Sequence, residues 1–81
     1  MAASLSSRGR RRLIRALIRR DGDICHYCGI DLYDGIRSMD HKIPLSAGGV
    51  NTQDNLVLAC MECNHDKDDM HYDEYLINRR K

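Results

Sequence analysis

The chain contains no tryptophan and no phenylalanine, only one proline, and tyrosine at only four positions. Its 81 residues also lack any apolar run of about 18 residues, so no membrane-spanning helix and no membrane partner are expected. A chain of this length predicts one domain, 1–81. A core this small rarely supplies more than about 3–5 kcal/mol of stability. An additional source of stability is therefore required.

Four cysteines offer that source, in two pairs that each enclose two residues. No secretory signal is visible, because the short polar segment 1–7 is followed by arginines where an apolar stretch would be needed. We therefore expect a cytoplasmic protein, in which such pairs bind zinc more often than they form disulfides. A disulfide or a redox pair is the alternative. The predicted structural zinc ligands are Cys25, Cys28, Cys60 and Cys63.

Charge is distributed very unevenly along the chain. Residues 1–20 contain seven arginines and no acidic residue, whereas residues 21–81 contain six basic and all twelve acidic residues. This asymmetry favours contact between the N-terminal arm and a polyanion such as DNA. A solvated helix face, docked on the acidic body of the same chain, is the alternative. The predicted DNA-binding residues are Arg8, Arg11, Arg12, Arg15 and Arg19.

An amphipathic helix is predicted over 8–20, after a disordered segment over 1–7. Leu13, Ile14, Leu17 and Ile18 recur at helical spacing and form one apolar stripe. Ser6 or Ser7 can cap its start, and Gly22 suits its end. We expect the stripe to pack on the zinc-bound body, so that the arginines face outward.

The remaining elements are shorter. A strand is predicted over 36–43 and a second over 56–59, separated by a loop rich in serine, glycine and asparagine. Pro44 should end the first strand. The second cysteine pair then opens a helix over 61–69, and a further helix is predicted over 72–79. The predicted zinc-bound core is 24–69, followed by a C-terminal helix and tail over 70–81.

The dipeptide Asp40-His41 stands between the cysteine pairs and has the residue types needed for hydrolysis. A histidine can accept a proton near neutral pH, and a carboxylate is a suitable ligand for Mg²⁺ or Mn²⁺. Neighbouring residues in a strand point to opposite faces. Both side chains can therefore serve one site only if the strand twists or bulges there, or if His41 lies at its end.

Four segments together resemble the HNH endonuclease family. They read R-R-D-G-x-x-C-x-Y-C-G from Arg19 to Gly29, D-H-x-x-P-L-S-x-G-G from Asp40 to Gly49, N-L at 55–56, and L-x-C-x-x-C-N-x-x-K from Leu58 to Lys67. The resemblance covers more than half of the chain, with the elements in the family's order. It implies a small α+β fold with a zinc-stapled ββα-metal, treble-clef-like core, preceded here by a basic helix.

The resemblance also implies roles for single residues. His41 corresponds to the general base, and Asp40 to a ligand of the catalytic Mg²⁺ or Mn²⁺. Asn55 corresponds to an asparagine that bonds backbone across the hairpin loop and so orients His41. Asn64 takes the position of the second metal ligand, which is usually a histidine in this family, so the chain resembles an H-N-N variant.

Three neighbours on the following helix remain candidates with ordinary alternatives. Lys67 lies three residues after Asn64 on one helix face and is a candidate for contact with the scissile phosphate, although a solvated lysine is equally expected. His65 is a rival metal ligand, about 100° around the helix from Asn64. Asp68 shares the face of Asn64 and is a further candidate ligand.

The predicted function is thus a metal-dependent DNA endonuclease in which His41 activates water and zinc holds the fold. The family is compatible with a bacterial or phage-infected cell, and the partner is DNA, with a homodimer or a larger nucleic-acid-processing complex as further options. The alternative is a non-catalytic treble-clef zinc module that binds nucleic acid. That alternative explains the cysteines and arginines but leaves Asp40-His41, Asn55, Asn64 and Lys67 without a role. His26 and His71 are expected to be exposed surface residues.

Overall fold

The computed structural model describes residues 6–79. Within them, three α-helices and two short 3-10 helices (Leu45–Ala47 and Gln53–Asn55) accompany a two-stranded sheet, which confirms the predicted small α+β architecture and its strand–strand–helix core. No helix in this part of the chain is long and apolar enough to cross a bilayer. The elements are α1 (Ser7–Asp21), β1 (Arg37–His41), β2 (Leu56–Cys60), α2 (Met61–Lys67) and α3 (Tyr72–Arg79).

The basic helix α1 exceeds the predicted range 8–20 by one residue at each end. The hydroxyl of Ser6 accepts a 3.0 Å hydrogen bond from the backbone N–H of Gly9 and caps the first turn. At the other end, Gly22 adopts φ +86° and its N–H donates to the carbonyl of Ile18. Ser6 and Ser7, which fall in the segment 1–7 predicted to be disordered, form this cap and the first helical residue. Residues 1–5 lie outside the described residues.

The hairpin of β1 and β2 forms the platform of the domain. The strands pair antiparallel, with Arg37 opposite Cys60 at one end and His41 opposite Leu56 at the other. All five residues of β2 are buried, because α1 and α2 both pack against this strand. Leu17 of α1 is fully buried in the same core as Leu56. One end of the hairpin thus carries the cysteines, and the other carries Asp40 and His41.

Two elements end earlier than their sequence predicts. β1 stops at His41 rather than at 43. The backbone N–H of Lys42 still donates to the carbonyl of Asn55, but that of Ile43 donates to the Asn55 side chain, so the strand ladder ends there. α2 stops at Lys67 rather than at 69, because Asp68 adopts φ +53° and its N–H caps the carbonyl of Asn64.

The loop between the strands depends on a close backbone approach at Gly49. A Cβ atom at this position would lie 1.8 Å from the carbonyl oxygen of Ile43, so any other residue would displace the backbone. The N–H of Gly49 donates a 2.9 Å hydrogen bond to the carbonyl of Pro44. The loop therefore folds back on the end of β1 in a fixed shape.

Candidate active site and zinc centre

The two cysteine pairs meet at one end of the hairpin. Their four sulfur atoms all lie within 4.8 Å of one another, and the Sγ atoms of Cys28 and Cys60 are 3.8 Å apart. A tetrahedral site with Zn–S bonds of about 2.3 Å has sulfur–sulfur edges of about 3.8 Å. The backbone N–H groups of Cys28 and Cys63 each donate 3.4 Å hydrogen bonds to the first sulfur of their own pair. None of the four residues is in a disulfide, and their arrangement fits the predicted zinc.

Electrostatics within the cluster also favour a bound cation. Burial would raise the pKa of the Cys25 thiol, but backbone N–H groups outweigh it and hold the pKa at about 7. Burial, together with the neighbouring thiols, raises the pKa of Cys63 well above its usual range. The cluster therefore carries a full set of thiolates only when a cation neutralises them.

Asp40 is held in a buried polar network close to the other end of the hairpin. Asp40 is only 3 % exposed, and its Oδ2 accepts a hydrogen bond from the hydroxyl of Tyr27. Burial and the neighbouring carboxylate of Asp40 raise the pKa of Tyr27 far above its usual value, so the phenol keeps its proton and donates. Tyr27 lies between the first two cysteines. The side chain of Tyr27 thus connects the first cysteine pair to Asp40.

Lys67 occupies a different position from the one its sequence suggested. It is only 1 % exposed, its Nζ donates a 2.8 Å hydrogen bond to the carbonyl of His41, and the same atom lies 3.4 Å from Oδ2 of Asp40. The alternative of a solvated lysine is wrong, because the ammonium is buried, whereas contact with a phosphate stays a prediction. Lys67 instead ties α2 to the end of β1.

His41 is the last residue of β1, which is one of the arrangements that allow neighbours 40 and 41 to reach one site. Its Nε2 lies 2.6 Å from Oδ1 of Asn51. Asn55, which is buried directly before β2, bonds the backbone of the loop on either side of this contact. Its Oδ1 accepts from the N–H of Ile43, and its Nδ2 donates to the carbonyls of Ile43 and Val50 at 3.0 Å.

An open cleft beside β1 brings together three of the five predicted catalytic residues, whereas Asn55 and Lys67 do not line it. Asp40 and His41 line it with Asn64 from α2 and with Asp68. His65 lines a neighbouring groove, which Asn64 and Asp68 border as well. Within residues 6–79, the cysteines are the only group of three or more His, Cys, Asp or Glu residues whose ligand atoms gather within 4.8 Å. A cation in the cleft would therefore need amide or water ligands beside the carboxylates.

A family model of the HNH endonucleases matches residues 25–70, which is more than half of the chain. The chain belongs to the HNH endonuclease family. The matched region of this HNH domain holds all four cysteines, the hairpin and α2, so the resemblance read from the sequence is confirmed. The four-cysteine cluster at the base of the hairpin is consistent with the zinc-stapled HNH fold. A search of curated proteins found no match.

Outside the matched region, α1 gives this HNH domain a basic surface. Four of its arginines border one shared surface, and Arg19 is exposed beyond them. Arg10, which was not among the predicted DNA-binding residues, lines the groove shared by Asn64 and His65. Arg20 is different, since its guanidinium donates to the carbonyls of Gln53 and Leu56 at 2.8 and 2.9 Å. The four residues on the shared surface are Arg8, Arg11, Arg12 and Arg15.

Sequence reasoning missed two residues that contact the site of this HNH domain. Tyr27 was read only as a member of the first cysteine segment, and Asn51 was one polar residue among many in the loop. Only the folded hairpin brings either of them to Asp40 or His41. His26 is exposed, as expected, but it also shares a 2.7 Å hydrogen bond with the hydroxyl of Tyr72. His71 is exposed.

Proposed function

We propose that this chain is a metal-dependent DNA endonuclease that hydrolyses phosphodiester bonds. The observation that carries the proposal is the open cleft in which Asp40 and His41 meet Asn64 of α2, within a chain of the HNH family. The cleft is accessible from solvent on one side and backed by a buried charged network on the other. It therefore combines access for a polymer with fixed functional groups.

His41 acts in this proposal as the general base that takes a proton from the attacking water. Its imidazole is half-buried at the end of β1, with one nitrogen held by Asn51. Lys67 and Asn55 fix the backbone on either side, since one bonds the carbonyl of His41 and the other bonds Ile43. A positioned general base contributes about 10²–10⁴-fold to a rate.

Asp40 and Asn64 would hold a catalytic Mg²⁺ or Mn²⁺ ion, because carboxylate and amide oxygens are ligands that these ions prefer. Oδ2 of Asp40 is engaged by Tyr27 and Lys67, so Oδ1 is the oxygen that we assign to the cation. Ligating carboxylates are commonly held in this way by hydrogen bonds. A bound divalent cation supplies stabilisation of the negative charge on the leaving oxygen. Asp68 lines the same cleft and is a further candidate ligand.

The basic face of α1 would bind the phosphates of the substrate. Apart from Arg20, which pairs with Asp21, the exposed arginines of α1 make no ion pair with the acidic residues that the structure describes. Arg37, by contrast, pairs with Asp23 and Asp34. Arg10 extends this face to the groove beside Asn64. A DNA backbone bound to α1 could therefore continue toward the cleft. The zinc centre, which requires reduced thiols, is in keeping with a cytoplasmic location.

Nicking of supercoiled plasmid by zinc-loaded protein, with added Mg²⁺ or Mn²⁺, tests the proposal. The wild-type protein should cleave, and His41→Ala should lower the rate by about 10²–10⁴-fold, since it removes the base. His71→Ala is the matched control, because His71 is exposed and lies outside the cleft. Zinc content and thermal stability should be unchanged in both variants.

A nucleic-acid-binding zinc module is the second candidate function, favoured by the arginine face of α1. Cleavage at the wild-type rate by His41→Ala would remove the proposed mechanism. DNA binding without cleavage under any divalent cation would favour the second candidate. The two functions therefore separate in one set of assays.

A further inference from the structure

The contact between His41 and Asn51 bears on which imidazole nitrogen carries the proton. Nε2 of His41 lies 2.6 Å from the amide oxygen Oδ1 of Asn51, and both residues are half-buried. An amide oxygen accepts hydrogen bonds and cannot donate one. The nitrogen that faces it must therefore be an N–H donor. In a neutral imidazole, the other nitrogen, Nδ1, is then unprotonated.

We propose that Asn51 is a positioning residue that holds His41 in the Nε2-protonated tautomer and leaves Nδ1 as the basic nitrogen. This inference rests on the endonuclease function proposed above, which makes His41 the base. Which ring nitrogen is basic decides from which side of the imidazole a proton can be taken. Asn51 thus determines which edge of the His41 ring accepts the proton.

The loop holds Asn51 in place through its backbone. Asn55 donates from Nδ2 to the carbonyl of Val50, the residue directly before Asn51. On the other side, the N–H of Asn55 donates a 3.0 Å hydrogen bond to the carbonyl of Thr52, which directly follows Asn51. Asn51 is therefore clamped on both flanks by one buried residue, which also bonds Ile43 next to the end of β1. Its amide is a fixed acceptor in a loop whose neighbouring side chains are exposed.

The rival arrangement reverses the amide of Asn51. An amide nitrogen facing His41 would donate to Nε2, and the proton of the neutral imidazole would then sit on Nδ1. The two arrangements have the same heavy-atom outline but opposite tautomers. A measurement that reports the tautomer directly distinguishes them, and it needs no catalysis.

The first experiment is ¹H–¹⁵N NMR of the His41 ring in zinc-loaded protein without added Mg²⁺, at a pH where the ring is neutral. The wild-type protein should show a protonated Nε2 and an unprotonated Nδ1. Asn51→Asp keeps an oxygen acceptor and should keep that tautomer, whereas Asn51→Leu should give a mixture of tautomers. Thr52→Val is the matched control, since its exposed side chain caps nothing and the tautomer should not change.

The second experiment compares plasmid-nicking kinetics of the same proteins. Asn51→Leu should lower kcat by about 10- to 100-fold, a part of the roughly 10²–10⁴-fold that a positioned base supplies, while KM changes little. Asn51→Asp should recover much of that loss, and Thr52→Val should match the wild-type protein. A purely structural role for Asn51 would instead lower stability and leave the tautomer of the folded fraction unchanged.

The outcomes separate this inference from the function on which it rests. A wild-type His41 protonated on Nδ1 overturns the inference even if the protein cleaves DNA. An Asn51→Leu variant with an unchanged tautomer and unchanged kcat also overturns it. If His41→Ala cleaves normally, the endonuclease mechanism falls, while the ring signals still decide whether Asn51 sets the tautomer. If Asn51→Leu fails to fold, Asn51→Ala takes its place in the same comparison.

Discussion

The two ends of the β1–β2 hairpin are about four residues apart, roughly 14 Å along the strands, yet they are built in opposite ways. At the Cys60 end, four thiols converge in a closed cluster with its ligands already assembled. At the His41 end, carboxylate, imidazole and amide groups line an open cleft. A closed ligand set stabilises a fold, whereas an open set leaves positions for water and substrate. Under the proposed function, stability and chemistry are therefore separated along one hairpin.

Removal of zinc from the cysteine end of the hairpin should cause the largest loss of stability. Zinc binding is worth about 10–16 kcal/mol in small zinc-dependent peptides, more than this core can supply alone. Chelation, or the substitution Cys60→Ser, should therefore abolish the circular dichroism signal of the folded domain. Met61→Ser, at the exposed neighbouring position, is the matched control and should keep both zinc and fold. An apo-protein with an unchanged spectrum and melting temperature would contradict a structural role for zinc.

Disruption of the buried Asp40–Lys67 pair should cause the second largest loss of stability. Lys67→Met leaves the Asp40 carboxylate buried without its cation, which typically costs about 3–5 kcal/mol. Denaturant unfolding in excess zinc measures this loss. The double variant Lys67→Met with Asp40→Asn should be less destabilised than the two single effects predict, because no unpaired charge remains buried. Additive losses would show that the pair does not act as a unit.

The cysteine end of the hairpin could be predicted from sequence, because two short spacings are enough to bring all four cysteines into one cluster. The order of elements followed from apolar patterns and from Gly22 and Pro44. The cleft end could be predicted only in part, since Asp40, His41 and Asn64 stand in recognisable motif positions. The burial of Lys67 is a tertiary effect, set by how α2 packs on β1, and helical spacing alone cannot distinguish it from exposure. Asn51 and Tyr27 contact the site only through the folded loop and the cysteine segment.

Substitutions in the basic face of α1 should have the smallest effect on stability but a clear effect on DNA binding. Each phosphate contact contributes about 0.9 to the slope of log binding constant against log salt concentration. Replacing Arg11 and Arg12 with glutamine should therefore reduce that slope by roughly 2 if each binds one phosphate, with little change in stability. Arg20→Gln is the contrasting control, because Arg20 bonds backbone carbonyls and should affect stability rather than the slope. Equal slopes for wild type and the double variant would exclude α1 from the DNA interface.

The separation of the two ends is tested most directly by Mn²⁺ binding to zinc-loaded protein, followed by electron paramagnetic resonance. The wild-type protein should bind one Mn²⁺ per chain in addition to zinc. Asn64→Ala should weaken Mn²⁺ binding by about 10- to 100-fold, as the loss of a site's supporting groups typically does, while zinc content stays unchanged. Absence of Mn²⁺ binding in the wild-type protein, or equal binding by Asn64→Ala, would contradict a second metal site at the His41 end of the hairpin.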